Sequence, residues 1–218
     1  MIAHRHHFDE QAAQWDKDPK KIERARRTAQ LIVDTVQPQG NERVFEFGAG
    51  TGLVSQTLAP HVGTLTLADN SHGMREVITQ KISAGTLIDA YLSHSDLVGG
   101  KLPDEKYDIV VASLVLHHVA DVPALLAAFS SILAPGGVAC IFELDDAGGK
   151  FHAHIDHYDG HDGFKRDSFE QSLLGAGFTE VQFHDAGKIE REDGEYSLFL
   201  ANALTSKNGE DVLRITHR

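Results

Sequence analysis

The stretch Val44-Phe45-Glu46-Phe47-Gly48-Ala49-Gly50-Thr51-Gly52-Leu53 decides the reading of this 218-residue chain. Val44 to Phe47 form a short apolar run that carries one acid, Glu46, and reads as a strand. Three glycines follow at alternate positions, Gly48, Gly50 and Gly52, before the apolar start of a helix at Leu53 and Val54. Glycine lets the backbone turn sharply and lets a ligand approach closer than a Cβ would permit. A strand, a glycine loop and a helix in this order belong at the carboxyl end of a parallel sheet, where nucleotide-like ligands bind. The spacing then separates two kinds of ligand. A dinucleotide fingerprint, G-x-G-x-x-G, needs its third glycine at position 53, which is Leu53 here; the third glycine comes one residue early.

Outward from the loop, strand and helix patterns alternate. On the N-terminal side, residues 1–17 are polar, with Phe8, Ala12, Ala13 and Trp15 as apolar anchors. Asp18-Pro19 then supplies an N-cap acid and a proline at the first helical position. Ile22, Ala25, Ala29, Ile32, Val33 and Val36 recur at helical spacing until Pro38 and Gly40. After the loop a helix stops near Pro60, residues 64–69 predict a second strand, and Ser71 can cap a helix bearing Met74, Val77, Ile78 and Ile82. Residues 87–92 predict a third strand, ending near Asp96. The run 109–112, β-branched residues and alanine, suits a parallel strand covered on both faces. Asp121 and Pro123 open the next helix, and Ala134-Pro135-Gly136-Gly137 leads into a fifth strand over 138–144. Residues 145–166 lose the rhythm and are rich in Asp, Gly and His. A helix capped by Asp167, with Glu170 three residues on, follows. Residues 179–189 and 196–204 then alternate as an antiparallel hairpin around Asp193-Gly194. The pattern predicts an α/β fold with a doubly wound sheet.

Composition narrows the partners. A formal charge of −12 argues against broad binding to nucleic acid or to an anionic membrane, which call for a basic face. The local run Lys17, Lys20, Lys21, Arg24, Arg26 and Arg27 is interspersed with Asp16, Asp18 and Glu23 and reads as a solvated helix face. A single cysteine, Cys140, lies in an apolar run, so no disulfide can form within the chain and a packed core residue is expected. No apolar stretch approaches the ~18 residues of a membrane span. The N-terminal residues lack the apolar run of a signal peptide, and a soluble, cytoplasmic protein is expected.

Two further strand ends carry acids. Asp69 can accept hydrogen bonds from a ribose diol, or serve as a turn acid. Asp96, with Leu97 after it, can accept the exocyclic amine of an adenine while the apolar neighbour covers the ring; a turn acid is again the plain alternative. Three successive strand ends of the expected type carry the weight together. FEFGAGTG (45–52) resembles motif I of the class I S-adenosylmethionine (SAM) methyltransferases of the small-molecule type. YDIVVASLVLHHV (107–119) resembles their fourth-strand motif and LAPGGVACIFE (133–143) their turn and fifth strand, while FDEQAAQWD (8–16) is similar to the N-terminal lid of ubiquinone- and menaquinone-type enzymes. The resemblance covers roughly residues 8–204.

It implies a Rossmann-like seven-stranded sheet in the order 3-2-1-4-5-7-6, with strand 7 antiparallel in a C-terminal hairpin. It implies one domain over 1–205, with lid helices in 1–40, a substrate-lid insertion at 145–166 and a flexible tail over 206–218. SAM is the implied cofactor, held by Glu46, Gly48, Ala49, Gly50, Asp69, Asn70, Met74, Asp96, Leu97 and Ser113, the loop residues passing close to its methionine part. The fourth strand is not followed by Asn-Pro-Pro-Tyr, which weakens nucleobase or glutamine N-methylation. The lone Cys140 removes the cysteine chemistry of arsenite and C5-pyrimidine enzymes. A small organic acceptor, methylated on O, N or C by in-line displacement, is the expectation.

The histidines offer further roles. His117 and His118 follow the fourth strand and are candidates for a general base, or for packing. His152-Ala153-His154-Ile155-Asp156-His157 matches H-x-H-x-D-H, the metal-binding signature of metallo-β-lactamase hydrolases, and raises a metal-dependent hydrolase as the alternative. The run lies late in the chain, with only His184 and His217 among later histidines apart from His161, and it occupies the position of a substrate lid. The methyltransferase reading therefore needs no metal, and lets Trp15, His152, His154, His157 and Tyr158, with His161, line an acceptor pocket; a solvated lid is the plainer possibility. A SAM-binding protein without catalysis is the remaining class.

Overall fold

The computed structural model describes residues 2–153, 158 and 160–207, with side chains described from Phe8 onward. Helices α1 (Ile2–Trp15) and α2 (Pro19–Val36) precede β1 (Arg43–Phe47). The chain continues through α3 (Leu53–Leu58), β2 (Thr64–Ala68), α4 (His72–Ser83), β3 (Ala90–Leu92), β4 (Tyr107–Ser113), α5 (Val122–Ile132) and β5 (Leu133–Leu144). It closes with α6 (Arg166–Gly175), β6 (Phe178–Arg191) and β7 (Gly194–Thr205). The seven strands form one sheet in the order β3-β2-β1-β4-β5-β7-β6, the order that the resemblance implied. The first five pair in parallel, and β7 runs antiparallel to both β5 and β6.

Two cores follow from the pleat, because neighbouring residues of a strand point to opposite faces. Val44 joins Ala29, Ile32, Leu58 and Ile78 on the side of α2, α3 and α4. Phe45 joins Val110, Leu126, Phe129 and Phe169 on the side of α5 and α6. Phe45, Phe129, Phe142 and Phe199 are among the largest fully buried side chains, each worth about 1.5–3 kcal/mol of apolar burial. Cys140 is fully buried among them, as expected, and burial pushes its thiol pKa well up.

Four local details differ from the sequence pattern. Residues 2–15 form a helix, although their apolar residues make no strong stripe; α1 docks largely through polar contacts described below. The third strand is shorter than 87–92 because Leu87 turns into the core and Asp89 takes a left-handed conformation (φ 50°) before Ala90. β5 already pairs with β4 at Leu133, ahead of the Pro-Gly-Gly turn, through an irregularity in register near Tyr107. Asp167 does not cap α6. Lys165 occupies the N-cap without a side-chain bond, and Asp167 sits in the first turn, where its charge favours the helix dipole instead.

Candidate active site

The loop after β1 has the backbone that its glycines allow: Gly48, Gly50 and Gly52 have φ of +65°, +57° and +78°. Gly48 leaves no room for a side chain, since a Cβ there would collide with Val115 Cγ2. Gly50 faces open space, with nothing within 4 Å of the position a Cβ would take. Beneath the loop, Glu46 is 2% exposed and accepts hydrogen bonds from the Ser55 amide (3.2 Å) and the Ser55 hydroxyl. Burial raises its pKa to about 7 despite those bonds. Glu46 thus ties the first turn of α3 to β1 from behind.

Asp69 stands beside the loop at the end of β2. Its Oδ2 accepts the Gly50 amide at 2.8 Å and its Oδ1 accepts the Ser71 amide at 2.8 Å. Burial holds its carboxyl above the usual range, against those two bonds and the Arg75 guanidinium. Asn70 next to it is exposed, whereas Met74 is buried, its amide donating to Ser71 Oγ at 3.2 Å. Asp96 is exposed and closes a turn by accepting the Gly99 amide at 3.0 Å, and Leu97 is buried in the core beside Phe45 and Ala68. Ser113 is half-buried at the end of β4, and Leu114 after it is left-handed, with φ 52°. That bend turns Val115 against Gly48.

Helix α1 packs against α4 beside the loop. Asp9 Oδ1 accepts the Ser71 hydroxyl (2.6 Å) and the Gly73 amide (3.0 Å). Gly73 permits this approach, since a Cβ there would stand 2.7 Å from the Asp9 carbonyl oxygen. Just past α1, Asp16 accepts the Thr51 hydroxyl at 2.5 Å and pairs with Lys81 Nζ at 2.6 Å. Phe8 packs edge-on against His118 at 5.6 Å and Trp15 at 5.9 Å between ring centroids. Trp15 is half-buried, with Lys21 Nζ 3.4 Å from its ring centroid.

The turn after β4 meets the insertion at a cluster of rings. His117 is 4% exposed, and its Nδ1 lies 2.8 and 3.1 Å from the two oxygens of Glu143 on β5. Glu143 is fully buried and also accepts the amides of Leu116 (2.8 Å), His117 (3.3 Å) and Leu144 (2.9 Å). From the insertion, His152 Nδ1 lies 3.0 Å from Asp162 Oδ1, which accepts the His152 amide at 2.9 Å. The His117 and His152 ring centroids are 5.3 Å apart. Tyr158 stacks on His152 at 3.8 Å and 15°, and its hydroxyl donates to the His117 carbonyl at 2.8 Å. The His161 amide donates to the same carbonyl at 2.8 Å. His118 joins the cluster, 4.1 Å from His117 between centroids, with its Nδ1 3.3 Å from the Tyr158 hydroxyl.

The fold therefore brings His117, His118, His152 and Tyr158 together, links Trp15 to them only through Phe8, and separates Glu46 and Leu97, which face the interior. His154, Asp156 and His157 lie outside the described residues. Among the described residues no group of three His, Cys, Asp or Glu side chains is placed to hold a metal ion. Four acids went without a role in the sequence reading: Asp9, Asp16, Glu143 and Asp162. Glu143 carried the one available signal, an acid inside the otherwise apolar run 140–144.

A glycine loop and an acid at the carboxyl ends of β1 and β2, in a sheet of this order, define the class as a Rossmann-like methyltransferase fold. A family model described as a methyltransferase domain matches residues 10–182, and the chain belongs to that family. The matched span includes the histidine run, and nothing in the comparisons supports a metal-dependent hydrolase. An uncharacterized methyltransferase of Mycobacterium tuberculosis is 27% identical over 111 residues, 50% of this chain and 54% of the relative. A demethylmenaquinone methyltransferase of Clavibacter sepedonicus is 28% identical over 138 residues, 62% of this chain and 56% of the relative. The chain thus spans about half the length of the curated relatives it matches. Among solved structures, the N-methyltransferase NodS from Bradyrhizobium japonicum, in complex with S-adenosylhomocysteine, superposes with a TM-score of 0.69 at 19% identity, covering 92% of this chain and 97% of that one. No helix among the described residues is long and apolar enough to cross a membrane.

Proposed function

We propose that the protein transfers a methyl group from SAM to a small organic acceptor. The observation that carries this is the Asp69 carboxylate, half-buried beside the glycine loop and fixed by the Gly50 and Ser71 amides. Each of its oxygens accepts one backbone N–H and keeps a further lone pair, so the two together suit the vicinal hydroxyls of a ribose. The open space over Gly50 leaves room for the backbone to meet a ligand without a Cβ between them. These residues fit the group. When bound, SAM supplies a methyl group already activated by its sulfonium charge.

The chain's own residues then bind, align and enclose. The loop residues Gly48, Ala49 and Gly50 lie along the methionine part and Asp69 holds the ribose, with Asn70, Asp96 and Ser113 on the rim of the nucleoside end. Glu46 and Met74 support that surface from the interior, as their burial requires. α1, through Asp9, and Asp16 just past it cover the cleft and keep water from it, which favours direct transfer between two aligned partners. The acceptor enters on the other side, where the insertion 145–166 brings His152 and Tyr158 against His117 and His118. We read residues 1–205 as one domain in which 1–40 and 145–166 are the two covers.

Calorimetric titration with S-adenosylhomocysteine tests the reading. Micromolar binding is expected, weakened roughly 10- to 100-fold in Asp69→Ala by loss of the hydrogen bonds to a charged acceptor. Absence of binding, or equal binding by the variant, refutes it.

A further inference from the structure

Three cations meet where α2 faces the insertion and the β6–β7 hairpin. Lys21 and Arg24 are three residues apart on α2 and so lie on one face of it. Ala25, the next residue, is buried in the same core as Phe151 and Tyr196, which sets this turn of α2 against them. There the Arg191 guanidinium, at the end of β6, lies 3.6 Å from the ring centroid of Phe151 and 5.9 Å from that of Tyr196. It donates to the Phe151 carbonyl at 2.7 Å. Lys21 Nζ rests over Trp15, 3.4 Å from the ring centroid. Arg24 is half-buried, and its guanidinium makes no hydrogen bond or ion pair among the described residues. Burial lowers the Arg24 pKa, Asp18 raises it, and the Arg191 charge lowers it again; burial also lowers that of Lys21, with Arg24 acting in the same direction.

Elsewhere the chain pairs its cations. Arg26, Arg43, Lys81 and Arg166 each stand within ion-pair distance of a carboxylate. Lys21, Arg24 and Arg191 do not, among the described residues. The acids nearest them are engaged. Asp18 caps α2 by accepting the Lys20 amide at 2.9 Å, and Asp162 accepts the amides of Phe151 (3.2 Å) and His152 (2.9 Å). Like charges brought together out of water repel, and an anion between them turns that repulsion into attraction. The chemistry of the donors then selects the anion. A guanidinium presents a planar fork of N–H groups that matches two oxygens of a carboxylate or phosphate. Arg191 has its plane set by Phe151 and keeps most of its donors, and Arg24 keeps all of its own. The rings of Trp15, Phe151 and Tyr196 add apolar faces for a flat body behind the charge.

We propose that Arg24 and Arg191, with Lys21 at their edge, bind a carboxylate or phosphate, and that this oxyanion is the charged end of the methyl acceptor. The second half rests on the methyl-transfer reading above, because Phe151, which carries Arg191, adjoins His152 on the acceptor side. The oxyanion is a handle and takes no part in bond-making. Its site draws an anionic molecule to a protein whose formal charge of −12 otherwise repels it. A neutral analogue leaves two guanidinium groups facing each other, and a cationic one adds to their repulsion, so the cluster discriminates by charge.

Calorimetric titration of the full chain, saturated with S-adenosylhomocysteine, tests this with benzoate, phenyl phosphate, benzamide and benzylamine. At least one of the two anions should bind roughly tenfold tighter than benzamide, the scale of a hydrogen bond to a charged group, and benzylamine should bind most weakly. The tighter anion tells carboxylate from phosphate. Arg24→Gln and Arg191→Gln should each weaken that anion roughly tenfold and leave benzamide unchanged. Arg26→Gln, on the same helix but exposed and paired with Glu23, should weaken neither. S-adenosylhomocysteine affinity reports that each variant is folded; Arg→Lys at the same position, which keeps the charge without the planar fork, replaces one that is not and should give a smaller loss. Benzamide binding as tight as both anions, or anion binding unchanged in both variants, overturns the site. Biphenyl-4-carboxylate reaches further than benzoate, and it alone should change affinity in His152→Phe; the same response from both probes overturns the assignment to the acceptor. Failure of S-adenosylhomocysteine to bind the wild-type protein overturns the methyl-transfer reading instead, and the titrations without it still decide the anion site.

Discussion

Replacing Glu46 by Gln should change how stability depends on pH. The carboxyl is fully buried between β1 and α3, and burial lifts its pKa from 4.5 to about 7. The folded protein therefore keeps a proton that the unfolded chain releases above its own, lower pKa. Between pH 4.5 and 7 the folded state binds more protons, so this group's contribution to stability falls as pH rises and is fully lost above 7. At about 1.4 kcal/mol per pH unit, the loss approaches about 3 kcal/mol. Glutamine does not titrate, yet its carbonyl can still accept the Ser55 amide and hydroxyl. Any fixed cost of the new amide group shifts the variant equally at every pH. The quantity to follow is thus the difference in unfolding free energy between Glu46→Gln and wild type, from urea titrations between pH 4.5 and 8. It should move by about 3 kcal/mol in favour of the variant as pH rises. A difference constant to within about 1 kcal/mol, or one moving the other way, would refute the claim that Glu46 is a desolvated acid behind the loop.

Three other substitutions or probes read separate parts of the site. Gly48→Ala forces a left-handed Ala, about 1–2 kcal/mol, and drives a Cβ into Val115. Thermal melts should fall and S-adenosylhomocysteine affinity should drop at least tenfold; a variant with wild-type melting and binding would show that the loop is laxer than its geometry. Asp9→Ala removes the bonds to Ser71 and Gly73 that clamp α1, so trypsin should cleave at Arg5 and Lys17 faster than in wild type. Equal cleavage rates would mean that these bonds do not hold the cover. Cys140 is fully buried and its thiol pKa is pushed up by that burial, so a thiol-reactive dye should label it only in denaturant. Stoichiometric labelling of the native protein would contradict the burial.

The site divides according to how local its logic is. The glycine loop was legible because a left-handed turn needs glycine wherever it occurs, and Asp69 because the end of a strand followed by Ser71 and a helix is a short-range pattern. Asp167 misled for a related reason. Its spacing to Glu170 fits a capping box, but the chain enters α6 two residues earlier, with Lys165 at the N-cap. Helix α1 was hard to see because it is held by Asp9, Asp16 and the small Ala12 rather than by an apolar stripe, and carboxylates carry no sequence mark of what they will accept. Glu143 and Asp162 were obscure in the same way: each gains its meaning from a histidine far away or across a loop.

By itself the sequence determined the alternation of strand and helix, the class of the sheet, the glycine loop whose spacing departs from the dinucleotide fingerprint, and the acid at the end of β2. Those depend on periodicity, turn chemistry and spacing within one βα unit, which are local properties of the chain. Only the tertiary structure decided that Glu46 lies behind the loop while Asp69 lies beside it, that Asp9 of α1 bonds to Ser71 and Gly73 at the start of α4, and that His117 and His152 meet with a carboxylate behind each. Those facts depend on which faces of separate elements are brought together, and on how far burial removes their charges from water.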